Sequence, residues 1–390
     1  MKRDISLDIL RGIMLLIMAS DHFGEPIFQS LYEFAGYVSA AEGFVFLSGM
    51  LVALVYSRYQ SRGGLVLEQK VWQRASVIYF YHLAVLFAVF VFTLFTVLSH
   101  ADWKSFATEM QVEPLRALLS GMVLSYQPPM LDILPMYVLL MLFAPLALRA
   151  MLHFKALGIA GVLLVSTALW AYSHQGAWHL VLQQLPSQVL IRMGAFDYLA
   201  WQLIFVLGMV AGFVRSSQRG EVRPFNKPLL VTALALIALL FSLRHGYLKP
   251  SSFLGGQWLV EYPHIARDNM GWLRLLNFLA FVYVIAGFIQ LHEQYGLFKP
   301  FQAVGRWLAF LGQHSLQVFA FHLVVLYCYI PFRWGTWALT DNQKWVWLLI
   351  FLASLTLPAW LHARYQAQQR EHKPRNSMPP VLPASIQLAH

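Results

Sequence analysis

Two ionisable residues on one apolar run define the chemistry this chain can offer. Residues 6–22 read SLDILRGIMLLIMASDH, apolar almost throughout from Ile9 to Ser20 yet with Asp8, Arg11, Asp21 and His22 in or beside the run. An ionisable group in a membrane helix is expensive and is by default a functional hypothesis. Arg11 and His22 are eleven positions apart; at 3.6 residues per turn they return to within about 20° of one face, with a rise of roughly 16 Å, about half a hydrocarbon core. One helix face thus carries a fixed cation towards one membrane interface and a titratable imidazole towards the other. A neutral imidazole is the commonest general base near pH 7, and a neighbouring carboxylate can orient it and stabilise its imidazolium. Asp21 follows the helix to a direction about 100° away from His22, so it serves only if the helix end bends. Glu42, at the start of the next apolar run, is the other candidate. The bland alternative has Arg11 snorkelling to headgroups and Asp21-His22 ending the helix in water.

The elements that must position these groups are membrane helices. Hydrophobic residues make up 58% of the 390 and charged residues 12%, about half the charged share of a soluble domain. The net charge of +10 is better explained by cytoplasmic loops than by nucleic acid. The single cysteine, Cys328, excludes an intrachain disulfide and offers no zinc-ligand spacing. No cleavage site follows the first apolar run, so it is expected to be a retained span.

The fold expected is all-α and polytopic, with about ten transmembrane helices over residues 7–24, 40–58, 75–98, 131–150, 156–173, 197–215, 228–243, 273–291, 307–330 and 345–362. Placing the amino terminus in the cytoplasm puts about two thirds of the Lys and Arg on that side, the asymmetry of the positive-inside rule, with both termini cytoplasmic. Residues 63–74 have the pattern of an amphipathic surface helix, with Leu65, Leu67, Val71 and Trp72 against lipid. The transmembrane domain is expected over 1–365, and the polar, proline-rich residues 366–390 form an expected disordered cytoplasmic tail. No internal repeat is visible. The outer loops, about 99–130, 174–196 and 244–272, are long enough to be functional.

With this orientation His22, Glu42 and His322 reach the outer half of the membrane, and His314 the inner half. His322 reads more readily as an interhelical hydrogen-bonding histidine than as a catalyst, and Glu42 equally as a helix cap favoured by the dipole. Gly43, Ser48 and Gly49 permit close packing of the second helix. Three further helices open on the outer side with Asp132 and Tyr137, with Asp197, Trp201 and Gln202, and with Arg274 and Asn277. Interface anchoring accounts for Trp201; Gln202, Arg274 and Asn277 suggest the rim of a polar cavity whose aromatic residues could stack on sugar rings. Phosphate-loop, dinucleotide and metalloprotease patterns are absent, as is a nucleophile elbow. The residues therefore favour acid–base chemistry without metal or covalent nucleophile.

The chain resembles the OpgC family, membrane proteins linked to succinylation of osmoregulated periplasmic glucans, within the acyltransferase-3-type transmembrane acyltransferases. The resemblance is carried by Arg11 and His22 with ten residues between them, and by LDILRG at 7–12, DH at 21–22, EGFVFLSG at 42–49, LDILPMYVLLM at 131–141, LAWQLIFVLGM at 199–209, LRLLNFLA at 273–280 and LGQHSLQVFAFHLVV at 311–325. Asn277 stands where a His is expected. The resemblance implies an O-acyltransferase of the bacterial inner membrane. Acyl-CoA, succinyl-CoA by analogy, would donate from the cytoplasm to hydroxyls of a periplasmic glucan. Arg11, with Ser48, would hold the donor; His22, supported by Asp21 or Glu42, would be the base. Asp197, Trp201, Gln202, Arg274 and His322 would face substrate, with Arg274 meeting the succinyl carboxylate. No permanently bound cofactor and no nucleic-acid partner are implied. Competing readings are an O-acetyltransferase for another surface polysaccharide, a proton-coupled transporter or flippase of glycans, and a structural or sensor subunit of a glucan-synthesis complex.

Overall fold

The computed structural model describes residues 4–24, 31–95, 107–176, 190–217, 226–252, 254–296, 301–334 and 339–371. Among these residues all regular structure is helical, and a lone β-bridge joins Tyr126 to Arg192. The longer helices are α1 (Ile5–Phe23), α2 (Ala40–Tyr56), α3 (Gly64–Phe95), α4 (Ile133–Phe154), α5 (Ala156–Ser173), α6 (Tyr198–Ser217), α7 (Lys227–Arg244), α8 (Trp272–Tyr295), α9 (Gln302–Gln313), α10 (Ser315–Trp334), α11 (Asp341–Ser354) and α12 (Thr356–Glu371).

Among the described residues eight segments are long and apolar enough to cross a membrane, and nine if the bent pair α9–α10 forms one span. Helix α1, with Asp8, Arg11 and Asp21 in its 19 residues, is not among them by composition. A count of ten therefore depends on admitting both the charged first helix and the broken one. Two expected elements differ. Residues 64–74 are no separate surface helix: they are continuous with the following span in α3, and Leu67 and Val71 are buried while Leu65 and Trp72 are exposed. The stretch 307–330 is not one rod: it breaks at His314, and α9 meets α10 at 84°. Helix α12 continues to Glu371; the rest of the expected tail lies outside the described residues.

Glycines permit close approach in two helix pairs that matter for the site. On α2 and α6, a Cβ on Gly49 would lie 2.0 Å from the Phe205 carbonyl oxygen, and one on Gly208 2.0 Å from that of Phe46. On α1 and α9, a Cβ on Gly12 would lie 2.1 Å from the Leu308 oxygen, and one on Gly312 1.9 Å from that of Asp8. Without water inside the bilayer to drive association, small residues let backbones approach and gain dispersion contact. The short helix α9 is thereby clamped to the Arg11 half of α1. Gly312→Ala is expected to cost about 1–3 kcal/mol through overpacking and to displace α9. Gly161→Ala on α5, where a Cβ meets nothing within 4 Å, is the neutral control in a detergent melting assay.

The segments between helices are tied down by side chains. Asp132 accepts from the Ala195 N–H at 3.0 Å, and Gln127 from the Gly194 N–H at 2.7 Å. Partial burial pushes the Glu109 carboxyl up, but its 2.5 Å contacts with Arg192 outweigh this and hold it below the usual carboxylate range.

Candidate active site

Helix α1 begins with a formal cap: Asp4 accepts from the Ser6 N–H at 3.1 Å and pairs with Arg215 on α6 at 2.5 Å. Its buried face runs through Leu7, Gly12, Leu15, Ala19 and Phe23. At the far end His22 meets His322 of α10. The His22 Nδ1 and His322 Nε2 lie 3.2 Å apart, and the rings stack with centroids 5.4 Å apart at 16°. His322 is 1% exposed whereas His22 is only partly buried. The buried imidazole thus backs the more accessible one.

Neither expected carboxylate occupies the position beside His22 Nδ1. Glu42 is fully buried and turned the other way. It accepts from the Ser39 N–H at 2.9 Å and the Ser39 hydroxyl at 2.5 Å in a capping box, and it pairs with Arg274 at 2.6 Å. Asp21 has one carboxyl oxygen, Oδ1, buried without a hydrogen-bond partner among the described residues. The group that faces His22 Nδ1, at 3.2 Å, is the His322 imidazole.

At the other end of the face, Arg11 donates to the Ser315 hydroxyl at the first residue of α10, and its guanidinium lies 5.9 Å from the centre of the Phe44 ring. Arg11, Ser48, Tyr137 and Ser315 line a cavity of about 170 Å³ that extends to Tyr56 and Arg74. Its remaining walls are mostly apolar, and Phe44 and Phe319 are among them. These two rings stack at 6.0 Å, and Phe319 meets His322 edge-on at 4.8 Å. One aromatic side chain therefore touches both the cavity and the histidine pair.

The other expected site residues are engaged within the protein. Asp197 accepts from the Leu199 and Ala200 N–H groups and so caps the start of α6. Trp201 is fully buried and donates to the carbonyls of Arg267 and Asp268 at 2.9 and 3.0 Å, so its ring is not exposed for sugar stacking. Gln202 bonds both the hydroxyl and the carbonyl of Ser166 at 2.7 Å, locking α5 to α6. Arg274 is 2% exposed and is held between Glu42 and Glu33, the latter also paired with Arg244 at 2.9 Å. Asn277 accepts from the Tyr37 N–H at 2.9 Å.

Two features were not read from sequence. Glu33 adopts a positive φ of 53°, a conformation that non-glycine residues hold only when their surroundings over-determine it; its two arginines provide that. At the α9–α10 break the Nδ1 atoms of His314 and His362 lie 2.8 Å apart, and Gln317 bridges His362 and Tyr81. Only pairing across long sequence separation shows either. Among the described residues no group of three or more His, Cys, Asp or Glu side chains is placed to hold a metal ion.

A family model described as OpgC protein matches residues 3–370. The chain belongs to the OpgC family. The match covers nearly the whole chain, α1 to α12, including both ends of the Arg11–His22 face, and points to a glucan-modifying acyltransferase built of membrane helices. Among curated proteins and solved structures, none matches it.

Proposed function

We propose that this OpgC-family chain is an O-acyltransferase of the bacterial inner membrane that moves a succinyl group from cytoplasmic succinyl-CoA to hydroxyls of a periplasmic glucan. The supporting observation is the continuity along α1: a cavity holding Arg11 and Arg74, and a histidine pair, are joined through Phe319. Two cations suit a donor that carries phosphates, and the apolar walls suit its uncharged pantetheine arm. Arg11 and Ser48 would hold the thioester end of the donor near Phe44 and Phe319.

His22 would act on the acceptor. With Nδ1 turned to His322, Nε2 is the nitrogen that takes the proton from the attacking sugar hydroxyl. The oxygen then adds to the thioester carbonyl, the carbon–sulfur bond breaks, and the proton passes to the departing CoA thiolate. No net proton is consumed. His322 would fix the ring orientation and share the imidazolium charge.

Arg11→Ala is expected to raise the KM for acyl-CoA about 10- to 100-fold, as follows from losing a charge-assisted hydrogen bond, with less effect on the acceptor KM. Initial-rate measurements with labelled succinyl-CoA and a soluble glucan test this, and label on the glucan tests the reaction itself. An unchanged donor KM would remove Arg11 from the donor site.

A proton-coupled glycan transporter is the second reading, favoured by two imidazole pairs, His314–His362 at the α9–α10 break and His322–His22 between α10 and α1. It requires glycan movement that uncouplers abolish and that leaves no acylated product.

A further inference from the structure

The cavity beside Arg11 is elongated along α2. Phe44, Ser48, Val52 and Tyr56 all line it; following one another at every fourth residue, they share one helix face over about 18 Å. Tyr56 marks one end of this row and Phe44 the other. On α10 the lining ends at Phe319. Ser315, Phe319 and His322 succeed one another at helical spacings. A single face of α10 thus presents the Arg11 partner, then the end of the cavity, then the histidine pair.

Phe44 and Phe319 close that end together. Their rings stack with centroids 6.0 Å apart at 19°. Phe319 is 1% exposed and also meets His322 edge-on at 4.8 Å. Phe44 packs edge-on against Tyr137 at 5.9 Å and lies beneath the Arg11 guanidinium. The Tyr137 hydroxyl donates to the Phe44 carbonyl at 2.9 Å, which joins α4 to α2 at this point. Interior rings packed on several sides sit in fixed rotamers, and extra atoms forced against them cost free energy.

We propose that Phe319 sets the upper limit on the length of the acyl group. The inference rests on the acyltransferase reading above. With the donor phosphates at Arg74 and the thioester at Arg11 and Ser48, the acyl chain points to the Phe44–Phe319 wall and must fit short of it. Phe319 is the determining member of the wall because its ring stands between the cavity and His322. Trimming that ring extends the cavity towards the histidine pair and makes room for further methylenes, while Phe44 stays fixed by Tyr137 and Arg11.

The test compares kcat/KM for succinyl-CoA and suberyl-CoA with one neutral glucan oligomer, in wild type, Phe319→Leu and Phe319→Ala. Both acyl groups end in a carboxylate, so their ratio reports length and not charge. Wild type is expected to prefer succinyl. Phe319→Ala should raise the suberyl-to-succinyl ratio about 10- to 100-fold, the scale on which an apolar pocket discriminates methylenes. Phe319→Leu should move the ratio the same way by less, and it decides the matter alone if the alanine variant does not fold. An equal fall with both donors would mean that Phe319 only packs against His322, and would overturn the proposal. So would a wild type that uses suberyl-CoA as well as succinyl-CoA. Each of those outcomes leaves acyl transfer standing. Wild type that transfers neither acyl group would remove the acyltransferase reading and this inference with it.

Discussion

Replacing His22 with alanine is expected to lower kcat/KM for acyl transfer by about 10²- to 10⁴-fold, the usual contribution of a positioned general base, while membrane insertion and thermal stability stay close to wild type. The reason is where His22 sits. It occupies the last turn of α1, only partly buried, and its Nδ1 contact with His322 fixes the ring. Truncation there removes a proton acceptor without opening a large core cavity. His322→Ala is expected to be active but slower, because it removes the support and not the base. Assays of purified, correctly folded variants separate the cases: near-normal turnover by His22→Ala would exclude it as the base, whatever the fate of His322.

Arg274→Gln is the second large effect, and it concerns stability. The side chain is 2% exposed and pairs with Glu42, which is fully buried, and with Glu33. Removing one partner of a buried ion pair leaves uncompensated charge in a low-dielectric site, which costs roughly 3–5 kcal/mol. Glu33 retains Arg244, so the loss falls mainly on Glu42 and on the join between α2 and α8. A second substitution, Glu42→Gln, should therefore recover part of the stability lost in Arg274→Gln, since it removes the stranded charge. Denaturant or thermal unfolding in detergent measures both. Additive destabilisation in the double variant would mean that Arg274 and Glu42 are not coupled as the 2.6 Å contact indicates.

The helices themselves were legible from sequence because bilayer spans announce themselves by length and apolarity. The Arg11–His22 relation was legible too, since it depends only on helix periodicity. What could not be read was any choice among partners distant in the chain. Glu42 had the right depth to serve His22, yet Arg274, 232 positions away, took it. Asp21 was adjacent in sequence, but His322, 300 positions away, met the imidazole. The break at His314 was hidden because the flanking residues are apolar enough for a continuous span; what accompanies it is the Gly12–Gly312 approach, which clamps α9 to α1. Continuity of residues 64–95 was missed for the opposite reason, since charges at Glu68, Lys70 and Arg74 suggested an interface, whereas Glu68 pairs with Arg149 at 2.7 Å against α4.

The most direct measurement reconstitutes the purified chain in sealed, sided liposomes, with labelled succinyl-CoA supplied only on the side of the amino terminus and a glucan only on the other. Transfer of label to the glucan by wild type, and its loss in His22→Ala, is the expected result and would establish that the acyl group crosses between the two ends of α1. Intact glucan with no label, under donors and acceptors that are both varied, would contradict transmembrane acyl transfer.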